Sequence, residues 1–332
     1  MLLSFIIPHY NMPRELLQRC ICSIVAQKLS PSDYEIIIVD DGSEEAPRWV
    51  TDSSPGTHMK LIEAEHGGPG AARNSGLDEA QGEYIQFVDA DDSIVPEAFD
   101  RCTEILTAEQ PDILQHRYRI CTTQEQMQQK ADCTNKPQTY GSGAEYVACN
   151  NLSGSPCTYI FKRETAERFN IRFAEKVMHE DEDFNIRIYH YGKKLIVCDY
   201  AAYNYWQRSN SITTSKDKRH EEKRIKDLIA MLERTVTFRT SVQEGCTPTE
   251  LRALNRKMAM LTVDTLLNLL YDGKSSMEVE DCCRQTLATL GLYPLPTAHY
   301  SLKYTIFRTL ANSSMGIRIL RMITPSQKPQ KR

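Results

Sequence analysis

The chain has 332 residues, which is enough for one large hydrophobic core or for one large core and one small core. Its net charge is −4 and it has no long run of like charges, so a nucleic-acid-binding surface is not expected. No stretch approaches the roughly 18 apolar residues of a membrane-spanning helix. The 11 cysteines lack zinc-ligand spacing and the first residues do not resemble a signal peptide, so we expect reduced thiols and a cytoplasmic protein.

The first hundred residues alternate between short apolar runs and segments with helical spacing. The apolar runs predict four buried strands, at Leu2–Ile7, Glu35–Val39, Lys60–Ala64 and Glu83–Val88. Pro8 closes the first run, and a helix opened by Pro13 follows it, with Asn11 as a candidate N-cap. Further helices are predicted at residues 71–80 and at Pro96–Thr107. This alternation predicts an α/β fold with a mostly parallel sheet flanked by helices.

The later chain divides into a mixed part and a helical part. Residues 124–140 are polar and aperiodic, which predicts a loop or an insertion. A helix is expected near Ala144–Asn150, and strands are expected near Thr158–Phe161 and Leu195–Cys198. Beyond Ser215 helical stretches dominate, at residues 220–240 and 251–271. We therefore expect a domain boundary near residue 215, between a domain at 1–215 and a mainly helical region at 216–332.

Polar side chains follow the predicted strands where each strand ends, at Tyr10, at Asp41 and at Asp89. In an open α/β sheet, ligands bind in the crevice outside the carboxyl ends of the strands. Three carboxylates within residues 89–92 repel one another unless a cation lies among them. Mg²⁺ or Mn²⁺ suits such oxygen ligands and shares its remaining positions with water and phosphates. In the alternative interpretation, Asp92 or Ser93 only caps the next helix.

Four motifs occur in this order along the chain: FIIPHYN, IIIVDDGS, GPGAARNSG and GEYIQFVDADD. Their combination is more specific for a protein family than any one of them alone. Together they resemble family 2 glycosyltransferases of the GT-A fold, of the bacterial cell-surface polysaccharide type. The later segments HEDED and YNYWQRSNSIT are similar to further motifs of that family. The resemblance covers residues 1–215, which would form the catalytic domain, and the helical remainder matches no diagnostic pattern.

The resemblance implies a metal-dependent, inverting enzyme that moves a sugar from a nucleotide-diphosphate sugar to a hydroxyl of a glycan or lipid-linked glycan. Pro8 and Tyr10 would then pack beside the base, and Arg73 would contact the nucleotide. Asp41 would accept the ring N–H of the base. Because an ionised carboxylate only accepts hydrogen bonds, Asp41 favours uracil, thymine or guanine, and a UDP-sugar is the first expectation.

The resemblance also assigns the metal and phosphate contacts. Asp89 and Asp91 correspond to the paired aspartates of the DxD motif. Asp91 would bind Mn²⁺ or Mg²⁺, and Asp89 would reach the ribose or a metal-bound water. The metal would stabilise the negative charge that develops on the departing diphosphate. Arg208 would add a forked donor set to the same phosphates, although a surface ion pair is the alternative for this residue.

The acidic segment at residues 179–183 supplies the predicted catalytic base. A hydroxyl acceptor needs a positioned carboxylate to remove its proton during transfer. By resemblance, Asp181 is that base and Glu180 binds the acceptor, whereas Asp183 is the alternative base. His66 and His179 lie in nearby loops, and we expect both to be bystanders.

Other interpretations of the whole chain stay open. A catalytically inactive nucleotide-sugar-binding or scaffold protein could share the fold, and a nucleotidyltransferase also uses carboxylate-held metal. Residues 300–323 mix apolar and basic side chains, which fits either peripheral contact with the inner face of a membrane or packing on the catalytic domain. The sequence leaves the sugar, acceptor, linkage and oligomeric state undetermined.

Overall fold

The computed structural model describes residues 1–52, 58–152, 154–207, 218–271 and 277–323 of the chain. The chain forms two compact units. The first, here the sheet unit, comprises Met1–Gly143 and Ser153–Ser215. The second, here the helical unit, comprises Ala144–Leu152 and Lys216–Arg332.

The sheet unit is an α/β layer structure built on one nine-stranded sheet in the order β3-β2-β1-β4-β8-β6-β9-β5, with β7 paired to β9. The strands are β1 Leu3–His9, β2 Tyr34–Asp40, β3 His58–Glu63, β4 Tyr84–Phe87, β5 Ser93–Ile94, β6 Ile113–Cys121, β7 Gln138–Tyr140, β8 Tyr159–Lys162 and β9 Leu195–Trp206. The helices up to β9 are α1 Arg14–Val25, α2 Trp49–Asp52, α3 Pro69–Glu79, α4 Pro96–Glu109, α5 Gln124–Met127, α6 Gly143–Cys149, α7 Arg163–Arg168 and α8 Glu180–Tyr191.

The first four strands form a parallel block whose carboxyl ends lie at one edge. In this block β2 lies between β3 and β1, and β1 lies between β2 and β4. His9 is in register with Asp40, and Asp40 is in register with Glu63. The residues that follow β1, β2 and β4 therefore meet at this edge, which we call the strand edge. The predicted α/β fold is confirmed.

The rest of the sheet is mixed. Strand β8 runs antiparallel to both β4 and β6, whereas β6 and β9 are parallel. Strands β5 and β7 each run antiparallel to β9. The sequence predicted neither β6 nor the full length of β9, which continues past Cys198 to Trp206. Both strands contain polar residues that interrupt the apolar pattern expected of a buried strand. These residues hydrogen-bond within the sheet, as Arg119 of β6 does to Asn204 of β9.

Two local predictions near the first strand are wrong. Strand β1 does not end before Pro8, because the sheet continues to His9. Pro8 is in register with Val39 of β2, whereas the pairing of β1 with β4 ends at Ile6. The sheet therefore tolerates a proline here, although proline has no backbone N–H to donate. Asn11 is not the cap of α1; its side chain accepts a hydrogen bond from the Glu44 amide at 3.0 Å.

After β9, the described residues of the helical unit form the helices α9 Lys218–Val242, α10 Pro248–Tyr271, α11 Met277–Thr289, α12 Leu302–Ala311 and α13 Ser314–Ile323. Their apolar faces enclose one core, which includes Leu228 and Leu232 of α9 and Leu261 of α10. Residues 300–323, treated above as one segment, form two helices. None of the helices in the described ranges is both long and apolar enough to span a bilayer.

Candidate active site

The aromatic end of the strand edge is formed by Tyr10, Asp41 and His66. Asp41 follows β2 and is almost fully buried. Its carboxylate accepts hydrogen bonds from the backbone N–H groups of Gly67 at 2.7 Å and Gly68 at 2.9 Å. These amides come from the loop that opens α3, where Gly68 adopts a φ of 85° that favours glycine. Two motifs distant in sequence therefore join through one carboxylate.

His66 joins Tyr10 to Asp41. Its ring stacks on Tyr10 with centroids 4.4 Å apart, and its Nδ1 lies 2.9 Å from Asp41 Oδ2. Tyr10 is 46% exposed, so an aromatic face remains accessible at the strand edge. We expected His66 to be a bystander, and the sequence did not predict this position. The position of His66 two residues before Gly68 could have indicated it, because the loop at Gly68 folds back onto Asp41.

Asp40 has a different role from its neighbour Asp41. It accepts hydrogen bonds from the backbone N–H of Ser43 at 3.1 Å and from the Ser43 hydroxyl at 2.5 Å. It also lies 2.8 Å from His9 Nδ1, and both side chains are buried. Gly42 has a φ of 74°, as a tight turn requires. Asp40 therefore shapes the turn, while Asp41 faces the α3 loop.

The acidic end of the strand edge is formed by Arg73, Asp89, Asp91 and Glu180. Arg73 lies on α3 and donates from Nη1 to Glu180 Oε1 at 2.9 Å and from Nη2 to Asp89 Oδ1 at 3.0 Å. A single guanidinium thus joins the residues after β4 to the first turn of α8. Arg73 is therefore one cation that the carboxylate cluster requires.

Burial and charge act in opposite directions on Arg73. Burial lowers the pKa of its guanidinium, but the carboxylates of Asp89 and Glu180 raise that pKa above its ordinary value. The guanidinium also lies 5.4 Å from the centroid of the Phe173 ring, which covers it. Its Nε is buried without a hydrogen-bond partner, so the two Nη groups make the polar contacts. Arg73 is a fixed positive charge at the strand edge.

The approach of α8 to α3 depends on Asn74 and Gly70. The Asn74 side chain donates to the carbonyl of Phe173 at 3.0 Å and accepts from the amide of Phe173 at 2.9 Å. A Cβ on Gly70 would lie 2.6 Å from the carbonyl oxygen of Ala174, so only glycine permits this distance. These contacts hold the segment before α8 against α3, and they bring Glu180 within reach of Arg73.

Asp92 belongs to the scaffold of the acidic end. It is 1% exposed and accepts hydrogen bonds from the Tyr203 hydroxyl and the Trp206 amide, both at 2.7 Å. Burial raises the pKa of this carboxyl, and the nearby charges of Asp89 and Asp91 raise it further. Helix α4 starts after Val95 without a side-chain cap, so the interpretation of Asp92 or Ser93 as its cap is wrong.

Three further residues support the backbone of residues 89–91. The Tyr203 hydroxyl accepts from the Asp89 amide at 3.1 Å, and Arg19 donates to the Asp91 carbonyl at 2.6 Å. The Arg19 guanidinium lies 4.7 Å from the centroid of the Trp206 ring. Tyr203 and Trp206 belong to the YNYWQRSNSIT motif, but the contacts that they and Arg19 make follow only from the folded sheet. They fix the backbone that presents Asp89 and Asp91.

The carboxylates of Asp89 and Asp91 fit a hard divalent cation by donor chemistry. The Asp89 side chain is 35% exposed and Asp91 is partly exposed, so their oxygens are accessible to a ligand. Within the described ranges, no three histidine, cysteine or acidic side chains form a complete protein cage for a metal. Mg²⁺ and Mn²⁺ sites of this kind keep several waters and take further ligands from substrate phosphates. Two carboxylates suffice for that arrangement.

The two candidate bases of α8 differ in exposure and pairing. Asp183 is 3% exposed, and its carboxylate lies 3.2 Å from Arg187 on the next helical turn. Asp181 is partly exposed in the first turn of the helix, next to Glu180. Asp181 is therefore the more accessible of the two. The predicted phosphate ligand Arg208 lies outside the described residues.

Solved structures share this architecture across almost the whole chain. The structure of Staphylococcus aureus TarS residues 1–349 in complex with UDP-GlcNAc superposes with a TM-score of 0.67 at 18% identity, covering 99% of this chain and 93% of TarS 1–349. The mannosyltransferase PcManGT from Pyrobaculum calidifontis, in complex with GDP-Man and Mn²⁺, gives a TM-score of 0.51 at 16% identity, covering 97% and 87%. At these identities the similarity shows the fold.

Sequence relatives are bacterial glycosyltransferases. Bacillus subtilis EpsJ, an uncharacterized glycosyltransferase, is 29% identical over 64% of this chain and 63% of its own length. A poly(ribitol-phosphate) beta-glucosyltransferase of Bacillus spizizenii is 38% identical over 34% of this chain and 18% of its own length. The chain thus spans less than two thirds of either relative. The glycosyl transferase family 2 model matches residues 4–169, which contain the aromatic end and most of the acidic end. The chain belongs to glycosyltransferase family 2, as its motifs predicted.

Proposed function

We propose that the protein is a metal-dependent, inverting glycosyltransferase that moves a sugar from a nucleotide-diphosphate sugar to a hydroxyl of a glycan or lipid-linked glycan. The observation that carries this proposal is the pair of hydrogen bonds from Arg73 to Asp89 and Glu180. These bonds join the proposed donor-phosphate residues to the helix that bears the proposed base. A module that only binds nucleotide sugars has no need for that connection.

The aromatic end suits the nucleoside of the donor. Tyr10, which follows β1, offers an exposed ring on which a base can stack, and Pro8 lies near the end of β1, partly buried. Asp41 Oδ1 accepts the Gly67 amide and has a second lone pair, so the carboxylate can accept a ring N–H. Uracil fits this requirement, and UDP-GlcNAc and UDP are the ligands of solved TarS structures. We therefore propose a UDP-sugar as donor.

The acidic end suits the diphosphate. Asp91 would hold Mn²⁺ or Mg²⁺, with Asp89 directed to the ribose or to a metal-bound water. Such an ion supplies Lewis acidity and compensates the charge on the leaving diphosphate. Arg73 holds Asp89 in place through its 3.0 Å hydrogen bond. Arg208 is proposed as a further phosphate ligand on the basis of its motif.

Asp181 is proposed as the general base and Glu180 as its acceptor-binding neighbour. An ionised carboxylate within reach of the acceptor hydroxyl removes the proton as the new glycosidic bond forms. Attack on the face opposite the diphosphate inverts the anomeric centre. Asp183 is less suited to this role because it is buried and pairs with Arg187.

Calorimetric titration of UDP, GDP, CDP and ADP, with Mn²⁺ and with EDTA, tests the donor site on the full chain. We expect UDP to bind wild type in Mn²⁺ and to bind at least tenfold more weakly in EDTA or in Asp91→Ala. Asp78→Ala is the matched control, since Asp78 pairs with Arg172 on the protein surface. Failure of the folded wild type to bind any nucleotide would exclude the proposal.

We also propose that residues 1–215 act as the catalytic domain and that the helical region contacts the inner face of a membrane. Helices α12 and α13 expose large apolar side chains: Leu302 at 77%, Ile306 at 54%, Met315 and Met322 at 76% and Ile323 at 66%. Basic residues lie beside them, as in helices that bind a membrane interface. Flotation of the full chain with anionic liposomes should succeed and should be weakened in Ile306→Glu. An intact chain that does not float would remove this proposal.

A further inference from the structure

A cleft of about 540 Å³ lies in the helical unit, lined mainly by α11 and α13. Its volume falls within the range of about 300–1,000 Å³ that is usual for ligand sites in proteins. Arg284 lines it from α11, and Arg318 and Arg321 line it from α13. The donor site proposed above uses none of these residues.

The walls of the cleft are fixed by internal contacts. A Cβ on Gly316 of α13 would lie 2.2 Å from the carbonyl oxygen of Leu310, so only glycine allows this approach to α12. Tyr293, which lines the cleft, donates its hydroxyl to the Ala311 carbonyl at 2.8 Å. A site with such walls needs little ordering when a ligand binds, and this lowers the free-energy cost of binding.

The lining has an excess of positive charge. Arg284 pairs with Asp281 within α11, and Arg321 pairs with Glu280 across the two helices. Among the described residues, no carboxylate pairs with Arg318, which is exposed at the cleft. Three guanidinium groups therefore face two carboxylates. The ion pairs hold Arg284 and Arg321 in position, while Arg318 keeps its full donor set.

Guanidinium groups match the geometry of phosphate oxygens. Each guanidinium has five N–H donors in a planar fork, and a single carboxylate cannot occupy all of them. Arg318 and Arg321 are three residues apart on α13, so both project to the same side of the helix. Met315 and Met322 flank Arg318 on that helical face, and each is 76% exposed. A phosphate bound at Arg318 would thus have apolar surface beside it.

We propose that this cleft binds a phosphate group, as a phosphodiester or a diphosphate. Two sources share this chemistry: a phosphate carried by the acceptor, and the headgroup of an anionic lipid. Assigning the phosphate to the acceptor rests on the proposed function, whereas phosphate binding itself does not. Recognition here adds affinity for an anionic partner.

The test uses the full chain in EDTA, so that metal-dependent binding at the strand edge does not contribute. One probe is a fluorescent glycerol-phosphate oligomer, followed by polarisation. The other is a phosphatidylglycerol vesicle, followed by flotation against phosphatidylcholine vesicles. Arg318→Glu is compared with Arg252→Glu, because Arg252 is exposed on α10 and does not line the cleft. We expect Arg318→Glu to weaken binding at least tenfold and Arg252→Glu to leave it within twofold.

The outcomes separate the two sources and the two proposals. Selective loss of oligomer binding in Arg318→Glu identifies an acceptor phosphate, and selective loss of vesicle binding identifies a lipid headgroup. Equal losses in both variants, or binding of neither probe by wild type, overturn the cleft proposal. Binding of UDP with Mn²⁺ is measured on aliquots of the same preparations without EDTA. If UDP does not bind but the oligomer does, the proposed glycosyltransferase function fails and the cleft stands.

Discussion

The acidic end and the aromatic end of the strand edge differ in how firmly the chain holds its own side chains. Arg73 is 6% exposed and spans two carboxylates from separate motifs, so the acidic end is cross-linked before any ligand arrives. Tyr10 is 46% exposed, and its ring stacks on His66, which is also exposed. The charges proposed to meet a diphosphate are therefore fixed in advance. The surface proposed to bind a base is left open.

This difference follows from the energetics of the two kinds of contact. A buried charge without a partner costs several kcal/mol, so the buried side chains of Arg73 and Glu180 stabilise the fold only as a pair. An aromatic ring at the surface loses little when it is exposed and gains about 1 kcal/mol when another ring stacks on it. Substitutions at the acidic end should thus alter both stability and activity. Substitutions of the exposed rings of Tyr10 and His66 should alter binding alone.

The largest expected effect is at the proposed base. Asp181→Asn should lower kcat by about 10²–10⁴-fold, because the amide cannot remove the acceptor proton. The affinity for UDP with Mn²⁺ should stay within twofold of wild type. Single-turnover transfer and calorimetry on the same protein measure both quantities.

Asp183→Asn is the matched control for that prediction. It should lower the free energy of unfolding, because Arg187 loses its buried partner, while kcat changes by only a few-fold. The reverse pattern, a large loss of kcat in Asp183→Asn with Asp181→Asn nearly active, would move the base to Asp183.

The next effect tests the cross-link itself. Arg73→Met should lower the free energy of unfolding by about 3 kcal/mol, because Glu180 keeps a buried and unpaired charge. The double variant Arg73→Met/Glu180→Gln should recover part of this loss, since the remaining side chain is neutral. Urea denaturation of the wild type, both single variants and the double variant gives the coupling energy.

The double variant Arg73→Met/Glu180→Gln should regain part of the unfolding free energy, but it should not regain transferase activity. A coupling energy near zero would mean that Arg73 and Glu180 are independent, and the acidic end would then be no more cross-linked than the aromatic end. Arg172→Met is the control, since Arg172 pairs with Asp78 at the surface and should contribute less than about 1 kcal/mol.

The third prediction concerns pH, through a buried histidine behind the acidic end. His116 lies 3.2 Å from the Oε1 of Gln86 in β4, the strand that leads to Asp89. Burial lowers the pKa of His116 to about 4 from 6.5. Between these values the unfolded chain binds the proton and the folded chain does not, so folding stability falls as the pH drops from 6.5 towards 4.

His116→Gln should remove this part of the acid sensitivity. The difference in unfolding free energy between pH 7 and pH 4.5 should be about 2–3 kcal/mol smaller in the variant than in wild type. His58→Gln, an exposed histidine in β3, should leave the difference unchanged. If this free-energy difference were the same in wild type and both variants, His116 would be accessible to protons in the folded state.

Much of the acidic and aromatic ends could be predicted from sequence, because they follow buried strands. Tyr10, Asp41 and Asp89 each come just after an apolar run, and parallel pairing brings such positions to one edge. Arg73 and Glu180 were recognised from their motifs. Their hydrogen bond could not be predicted, because it depends on how Asn74 holds the segment before α8.

The contacts of the supporting residues could not be predicted from local patterns. Tyr203 and Trp206 lie at the end of β9, whose polar positions concealed the strand, and they reach Asp92 from more than 100 residues away. Arg19 lies on α1, where an arginine is an ordinary surface residue. These contacts arise only when the sheet order brings β9 beside β5. Sequence periodicity predicts individual strands, but it does not predict which distant strands pair, and these contacts of the site depend on that pairing.

The smallest expected effects are at the aromatic end. Tyr10→Ala and His66→Ala should each weaken UDP binding about five- to tenfold, which corresponds to about 1 kcal/mol of stacking. Neither should shift the unfolding free energy by more than about 0.5 kcal/mol, since both rings are exposed. Tyr118→Ala, an exposed tyrosine of β6, should change neither quantity. If His66→Ala instead destabilised the fold as much as Arg73→Met, the bond from His66 to Asp41 would be structural. The aromatic end would then be fixed in advance, just as the acidic end is.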